Sequence, residues 1–396
     1  VTVSSQLKEA LQQFDIPGEL IELAPLGQGN INDTYLGTWN LTQGGTRHYV
    51  HQRLNTRVFR EPQIVMTNMR LVTEHIGKKH MGEEYKQWQR AHAFNQPPLC
   101  SIHGREELRV LHLIPTRSGA DFLRDNEDSV WRSTNFLDGL DTFETLQNEE
   151  HAFQVGRCLG EFHHLVSDLD TTQLGDSLPG FHHTEKYFAK FRAALDSEPA
   201  KKAIQSDSQV AHLVKEILAR ESCAFRFANG ISTGALRMRT VHNDPKISNF
   251  MFCPKTNAAV CLIDLDTVKP GLVHYDFGDC VRSAANRAGE ETKDLAAVKA
   301  DLDVFSAIAR GYCGEARAFL DTGERDLLVE STKIIAFELA MRFFTSHLLN
   351  DGYFKERYKG NNLHRTRVQL ELVKDLERKE SEMRKIIEAA LRDRAA

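Results

Sequence analysis

No two of the seven cysteines, at positions 100, 158, 223, 253, 261, 280 and 313, form a CxxC pair. Their odd number and irregular spacing argue against a disulfide framework or a zinc site and favour a reducing compartment. Basic residues are in deficit, with a net charge of -5. No broad positive field is therefore expected to attract nucleic acid or an anionic membrane. A small anionic substrate would need local positive charge instead. No run of 18 apolar residues is present, so no spanning helix is expected. The opening "VTVSSQLKEALQQF" lacks a basic stretch followed by an apolar run, so a secretory signal is not expected and the expected location is cytoplasmic. Internal repeats and low-complexity segments are also missing.

What remains is a soluble, globular composition, 41% hydrophobic and 27% charged over 396 residues. That length exceeds one simple core and predicts two or three domains or lobes. The first 139 residues read as sheet plus one main helix. A short helix is expected over 4–14, with Leu7, Ala10, Leu11 and Phe14 on one face and Pro17-Gly18 as its stop. Strands follow at "IELAPL", "TYLGTWNL" and "RHYVHQRLN", with "TQGGT" as a turn. A helix opens at Glu61-Pro62, turns Ile64, Val65, Met69, Val72 and Ile76 inward, and is expected to close at Gly77. Further strands are expected in "PLCSIHG", "ELRVLHLIPT" and "SVWRSTNFLDG". Residues 140–396 read as mainly helical, with helices near 149–167, 184–196, 207–220, 277–288, 294–313, 326–349 and 365–391. The exception is 240–265, where "NFMF" and "AVCLIDL" flank the turn "CPKTN".

The stretch "HNDPKISN" (242–249) fits H-x-D-x-K-x-x-N. Asp244 can act as base for a substrate hydroxyl, Lys246 can reach a transferring phosphoryl group, and Asn249 can ligate a metal through its amide oxygen. Asp264, twenty residues after Asp244, follows an apolar run and can hold the Mg²⁺ that bridges nucleotide phosphates. Phosphoryl transfer needs this set: a base, metal ligands and a cation for developing charge. A polar turn would not require this spacing. His242 is expected to brace the loop. Asp266, at i+2 from Asp264, either assists metal or substrate or serves as a structural hydrogen-bonding group. "HYDFGDC" carries the letters D-F-G at 276–278, but Asp276 with Asp279 reads as a helix cap, and the metal is assigned to Asp264.

In the sheet region, "GQGNINDTY" offers Gly27 and Gly29 to cover phosphates and Asn32 and Asp33 to meet substrate hydroxyls. An Asx-rich turn explains the same letters. Arg53 lies on the third strand, with Val50 and Gln52 on one face and His51 and Arg53 on the other. Glu74 is its possible ion-pair partner. Late in the chain, Glu338 and Arg342 stand at i, i+4 in an apolar helix, and "KGNNLHRTR" (359–367) is a further cluster placed to line a pocket.

Through "HNDPKISNFMF" and "CLIDLDTVKPG" the chain resembles the aminoglycoside-phosphotransferase superfamily of small-molecule kinases. Through "GQGNINDTY", "YVHQRLNTRVFREP", "LPGFHHTEKYF", "HYDFGDCVRSAAN", "FELAMRFFTSHL" and "DGYFKERYKGNNLHRTR" it is similar, within that group, to bacterial N-acetylhexosamine 1-kinases. The resemblance implies an α+β, protein-kinase-like bilobal fold. An N-terminal antiparallel sheet lobe (1–139) would bind nucleotide, and a larger, mainly helical lobe (140–396) would carry catalysis and substrate. It implies ATP and Mg²⁺ as cofactors and a small-molecule sugar as partner, phosphorylated at the anomeric hydroxyl of GlcNAc or GalNAc. Asp244 would be the base, with Lys246 beside it, Asn249 and Asp264 the metal ligands, and Arg53 the nucleotide-facing cation. Asn32, Asp33 and Arg342 would fall at the substrate, and Asp266, from its place two residues after Asp264, is grouped with them. Two positions depart from the usual pattern: Asn243 stands where relatives commonly have Gly, and His51 where they often have Leu. A kinase of another small alcohol is the alternative within the superfamily. A pseudokinase would lack one of Asp244, Asn249 or Asp264. A metal-dependent hydrolase would leave Lys246 and Asn249 unexplained.

Overall fold

The computed structural model describes residues 5–27, 31–81 and 108–392. Gly29 and the segment "PLCSIHG" lie outside them. The described cysteines are all free thiols. The chain divides into two compact units. One is built from Val1–Asp141, Leu165–Pro179 and Met251–Pro270, the other from Thr142–His164, Gly180–Phe250 and Gly271–Ala396.

The first unit is organised by an antiparallel sheet. Its strands are β1 (Gly18–Pro25), β2 (Asp33–Leu41), β3 (Thr46–Leu54), β4 (Leu113–Ile114), β5 (Leu123–Arg124) and β6 (Val130–Asn135), in the order β1-β2-β3-β6-β4 with β5 also on β6. Gly44 and Gly45, both at positive φ, make the β2–β3 turn where a side chain would be strained. The period of two sends alternate residues to two different cores. One core joins Leu20, Trp39, Tyr49 and Trp131 to Leu11 and Phe14, beside the short helix α1 (Ser5–Leu11). The other joins Leu54 and Val130 to Val65 and Met66 of α2 (Pro62–Met81). Gly77 does not close α2. The helix runs on through Lys78, Lys79 and His80, whose charges suit its C-terminal end.

His51 shows how strictly the sheet sorts its residues. It is fully buried on the α1 side, where Trp39 Nε1 donates to its Nε2 at 3.0 Å. With Nε2 accepting, Nδ1 carries the proton and faces Ser133 Oγ. Burial pushes this imidazole down to about 3, so it stays neutral. His51 is thus a core residue that knits β2, β3 and β6 together.

The second unit is helical. Besides the expected helices it has Glu198–Ser206 and the short Glu221–Ala224 and Arg226–Ser232, whose apolar periodicity is too brief to read from sequence. The helix expected from 294 begins at Leu302, after a single turn of 3-10 helix, and the one expected from 277 begins at Val273. Glu149–Leu165 and Leu302–Ala316 touch backbone to backbone: a Cβ on Gly156 would lie 2.1 Å from Ile308 O, and one on Gly311 2.1 Å from Phe153 O. Gly311→Ala would gain about 1 kcal/mol of helix propensity. It would also force two helices apart where no flexible side chain can give way. The expected net loss is about 1–3 kcal/mol, seen as a lower urea midpoint; an unchanged midpoint would refute the close crossing.

Candidate active site

The expected residues divide between the units. In the second, the strand Arg239–Val241 leads into His242, Asn243 and Asp244, and Ile247–Asn249 forms one turn of 3-10 helix. Asn243 is left-handed, with φ +70. That explains why glycine suits the position and why Asn, which tolerates this region better than most residues, can replace it. Asp244 and Lys246 form a half-exposed ion pair, with Lys246 Nζ 2.6 Å from Asp244 Oδ2. Asn249 Nδ2 donates to the Asp244 carbonyl at 2.7 Å and faces its carboxylate at 3.3 Å. Its donors are spent on Asp244, so Oδ1 is the atom suited to a cation.

Asp276 is not a cap. The helix Val273–Ala285 is capped at Leu272 without a side-chain bond, and Asp276 lies inside its first turn, fully buried. Its carboxylate accepts the backbone N–H of His242 at 2.7 Å and of Asn243 at 2.6 Å. His163 Nε2 lies 2.8 Å from the same carboxylate, and His163 Nδ1 is 3.0 Å from the Tyr312 hydroxyl. The D-F-G letters therefore mark the support of the loop. His242 contributes more modestly: its Nδ1 accepts the Asp244 N–H at 3.2 Å, which removes that nitrogen as a metal ligand.

Asp279 is also buried, and its bond to Arg282, 2.7 Å away, outweighs the burial that would raise its pKa and lowers it. Glu338 is buried and Arg342 largely so, its side chain 12% exposed, and the two are only loosely paired, at 3.9 Å. Glu338 takes its closer bonds from His182 and Thr184, at 3.0 and 2.8 Å. The Arg342 guanidinium lies among the rings of Phe181, Tyr187 and Phe354, 4.9–5.5 Å from their centroids, and its buried Nε has no hydrogen-bond partner among the described residues. The 359–367 cluster supplies His364 and Arg367 to a cavity of about 360 Å³, with Lys293, Leu295 and Tyr358.

In the first unit, β-strand Ala259–Leu262 ends before Asp264, which is left-handed (φ +65) and precedes the 3-10 turn Leu265–Thr267. Its carboxylate makes no capping bond to that turn. Asp266 does not continue a strand beside it. It is buried and ion-paired with Arg132, whose side chain is equally buried, and Asn32 Nδ2 donates to it at 2.5 Å. Asn32 Oδ1 accepts the Asn55 N–H at 2.9 Å, so both ends of its amide are engaged inside the protein. Arg132 also donates to Gln52 Oε1 through Nε and Nη2, at 2.9 and 2.7 Å, and Gln52 donates to Thr34 Oγ1 at 3.0 Å. Thr34, Gln52 and Arg132 are direct cross-strand neighbours on the α2 face. Arg53 sits on the opposite face, exposed and bonded to Asp33, with Nε 2.9 Å from Oδ2; Glu74 instead lies near Lys78. The cation beside the Asp264 segment is therefore Arg132, which nothing in "SVWRSTNF" singled out. Asn68 of α2 was equally silent in sequence: fully buried, it donates to the carbonyls of Gly175 and Val268, both at 2.8 Å. A polar residue among the apolar positions of α2 was the only signal.

A family model described as "Phosphotransferase enzyme family" (APH) matches residues 22–318, most of the chain. The chain belongs to the APH phosphotransferase family. Three solved structures are similar at the level of fold. An aminoglycoside phosphotransferase from Alicyclobacillus acidocaldarius subsp. acidocaldarius DSM 446 shares 14% identity, with a TM-score of 0.59 and 96% of each chain covered. A microcompartment-associated aminopropanol kinase shares 14%, with a TM-score of 0.56 and 96% of this chain and 98% of that one covered. An amicoumacin kinase in complex with AMP-PNP, Ca²⁺ and Ami shares 11%, with a TM-score of 0.57 and 95% and 94% covered. The mixed architecture of a sheet lobe and a larger helical part is the APH fold, and the protein is a small-molecule phosphotransferase of that superfamily.

In this APH protein, Arg132→Leu would leave the buried Asp266 carboxyl without its cation, with Asn32 as its remaining side-chain donor. The expected loss is about 3–5 kcal/mol by urea denaturation, partly recovered by adding Asp266→Leu; a loss below about 1 kcal/mol would show that the pair is not desolvated as described.

Proposed function

We propose that the protein transfers the γ-phosphoryl group of ATP to the anomeric hydroxyl of an N-acetylhexosamine, GlcNAc or GalNAc. Asp244 accepts the hydroxyl proton, and Lys246 neutralises charge on the transferred group. The observation that carries this reading is the Asp244, Lys246 and Asn249 constellation, held on a loop whose backbone is pinned by Asp276. Positioning and electrostatics supply most of the catalysis in phosphoryl transfer, so a rigid loop matters as much as the base.

Asn249 Oδ1 and the Asp264 carboxylate are hard oxygen donors of the kind Mg²⁺ selects, and the Asn249 amide, donating through Nδ2 to Asp244, turns its oxygen to that use. When bound, Mg²⁺ would shield the nucleotide phosphates. The exposed Arg53–Asp33 pair, at the ends of β2 and β3, is proposed to serve nucleotide through Arg53 and sugar hydroxyls through Asp33. Asn32 and Asp266 are proposed to act by shaping the segment behind Asp264. Arg342, with its unsatisfied Nε, is proposed to meet the acceptor. A largely buried guanidinium opposes a cationic amino alcohol or aminoglycoside and suits a neutral sugar.

A panel of sugars and amino alcohols with ATP and Mg²⁺, read by ADP release and product NMR, tests the acceptor. Turnover of GlcNAc or GalNAc with phosphate at C1 is expected; phosphate at C6, or preference for an amino alcohol, refutes it. Asp244→Ala should lower kcat by about 10³-fold or more while leaving ATP affinity within a few fold. Asp264→Ala should weaken Mg²⁺-dependent nucleotide binding, measured by titration calorimetry with and without the metal; identical Mg²⁺ dependence would remove Asp264 from the metal site.

A further inference from the structure

His182 lies in "LPGFHHTEKYF", a segment that also supplies the Phe181 and Tyr187 rings around Arg342. It is 3% exposed and left-handed, with φ +60. Its Nδ1 is 3.0 Å from Glu338 Oε1, and its Nε2 is 3.0 Å from the backbone carbonyl of Asn243. A carbonyl oxygen can only accept, and an ionised carboxylate can only accept. A neutral imidazole has one N–H and would turn a lone pair toward one of them. With Glu338 ionised, two acceptors at hydrogen-bond distance require two N–H groups.

We propose that His182 is a positioning residue held as an imidazolium, whose Nε2–H fixes the Asn243 carbonyl and with it the left-handed turn that presents Asp244. The inference rests on the reading of Asp244 as the base. Asn243 is then clamped at both ends of its peptide groups: its N–H goes to Asp276 at 2.6 Å and its C=O to His182. Such a clamp supplies what Gly would supply by conformational freedom.

The surroundings suit a cation. Glu338, from the helix Thr322–Leu349, bonds it directly, and Arg342 stands beyond Glu338 on the same helix. From Val273–Ala285, Tyr275 stacks on the ring at 5.0 Å and Asp279 adds negative potential, itself shared with Arg282. Phe181 covers the other approach, at 4.0 Å. Burial works against the charge, but the Glu338 carboxylate, the Asn243 carbonyl and Asp279 outweigh it and raise the pKa above the ordinary 6.5. Glu338 is correspondingly lowered: burial would raise it, and His182 chiefly reverses this, so the proton resides on the imidazole. With a raised folded-state value, the stabilisation from this proton is complete below about pH 6.5 and is lost as pH rises through the folded value.

The decisive measurement is ¹⁵N-histidine NMR of the full chain across pH 6–9, with His182→Gln providing the assignment. Both ring nitrogens of His182 should carry protons at pH 7.5, and Glu338→Gln should convert the ring to the neutral form at that pH. A neutral His182 at pH 7 in the wild type overturns the proposal, whether or not either variant folds. This arm needs no acceptor, so it stands apart from the choice of sugar. In turnover, His182→Gln should lower kcat by about 10²-fold with the nucleotide KM within about twofold. The alkaline fall in kcat should move to lower pH in Glu338→Gln. A folded His182→Gln protein with wild-type kcat and pH profile would make the residue merely structural and refute the positioning role.

Discussion

The loop that carries Asp244 depends on one carboxylate. Asp276 is fully buried and receives two consecutive backbone N–H groups, from His242 and Asn243. A turn with a left-handed residue leaves those N–H groups without partners in regular structure, and burying them unmet would cost about 1–3 kcal/mol each. A single acid meets both, but it brings a charge into the interior. The relay through His163 to Tyr312 meets that charge with a donor at 2.8 Å and ties the loop to the helix Leu302–Ala316. Every proposed role for Asp244, Lys246 or Asn249 presupposes that this backbone does not move.

The segment bearing Asp264 is held by the same logic with other parts. Asp266 is locked by Arg132 and Asn32, the Val268 carbonyl by Asn68, and Lys269 by Asp176 and the Leu178 carbonyl at 2.6 and 2.7 Å. Three residues of "DLDTVK" are thus anchored to the sheet, to α2 and to the 176–178 loop. Asp264 differs, since its carboxylate is not used to cap the turn that follows. In the proposed metal site, neighbours that fix the backbone on the C-terminal side of Asp264 would set the direction in which its carboxylate is presented.

Much of this was legible in the chain, and the limits have identifiable causes. The strands, the main helices and "HNDPKISN" were readable because alternation, helical period and fixed local spacing are short-range signals. Arg53 was the expected cation because it sits on the third strand, and alternation correctly separated it from Gln52. What alternation could not supply was the pairing register, which sets Gln52 opposite Arg132 and makes Arg132 the cation at Asp266. Asp276, His182 and Asn68 escaped for the same reason: their partners lie 34, 61 and 107 or more residues away. Long-range pairing of buried polar groups leaves no periodic trace.

Three non-glycine residues in left-handed conformation, His182, Asn243 and Asp264, lie at or beside the proposed chemistry. Each costs on the order of 1 kcal/mol and persists only where its surroundings over-determine it. The surroundings here are charged. Asn243 is held between Asp276 and His182, His182 between Asn243 and Glu338, and Asp264 stands two residues from the Asp266–Arg132 pair. An apolar core would support the fold at lower electrostatic cost, since buried charges contribute little net stability. It would not fix the direction of a carbonyl or an N–H. The concentration of buried ions around these turns follows from the need to aim backbone groups, and that need is greatest where a proton and a phosphoryl group must be placed within tenths of an ångström.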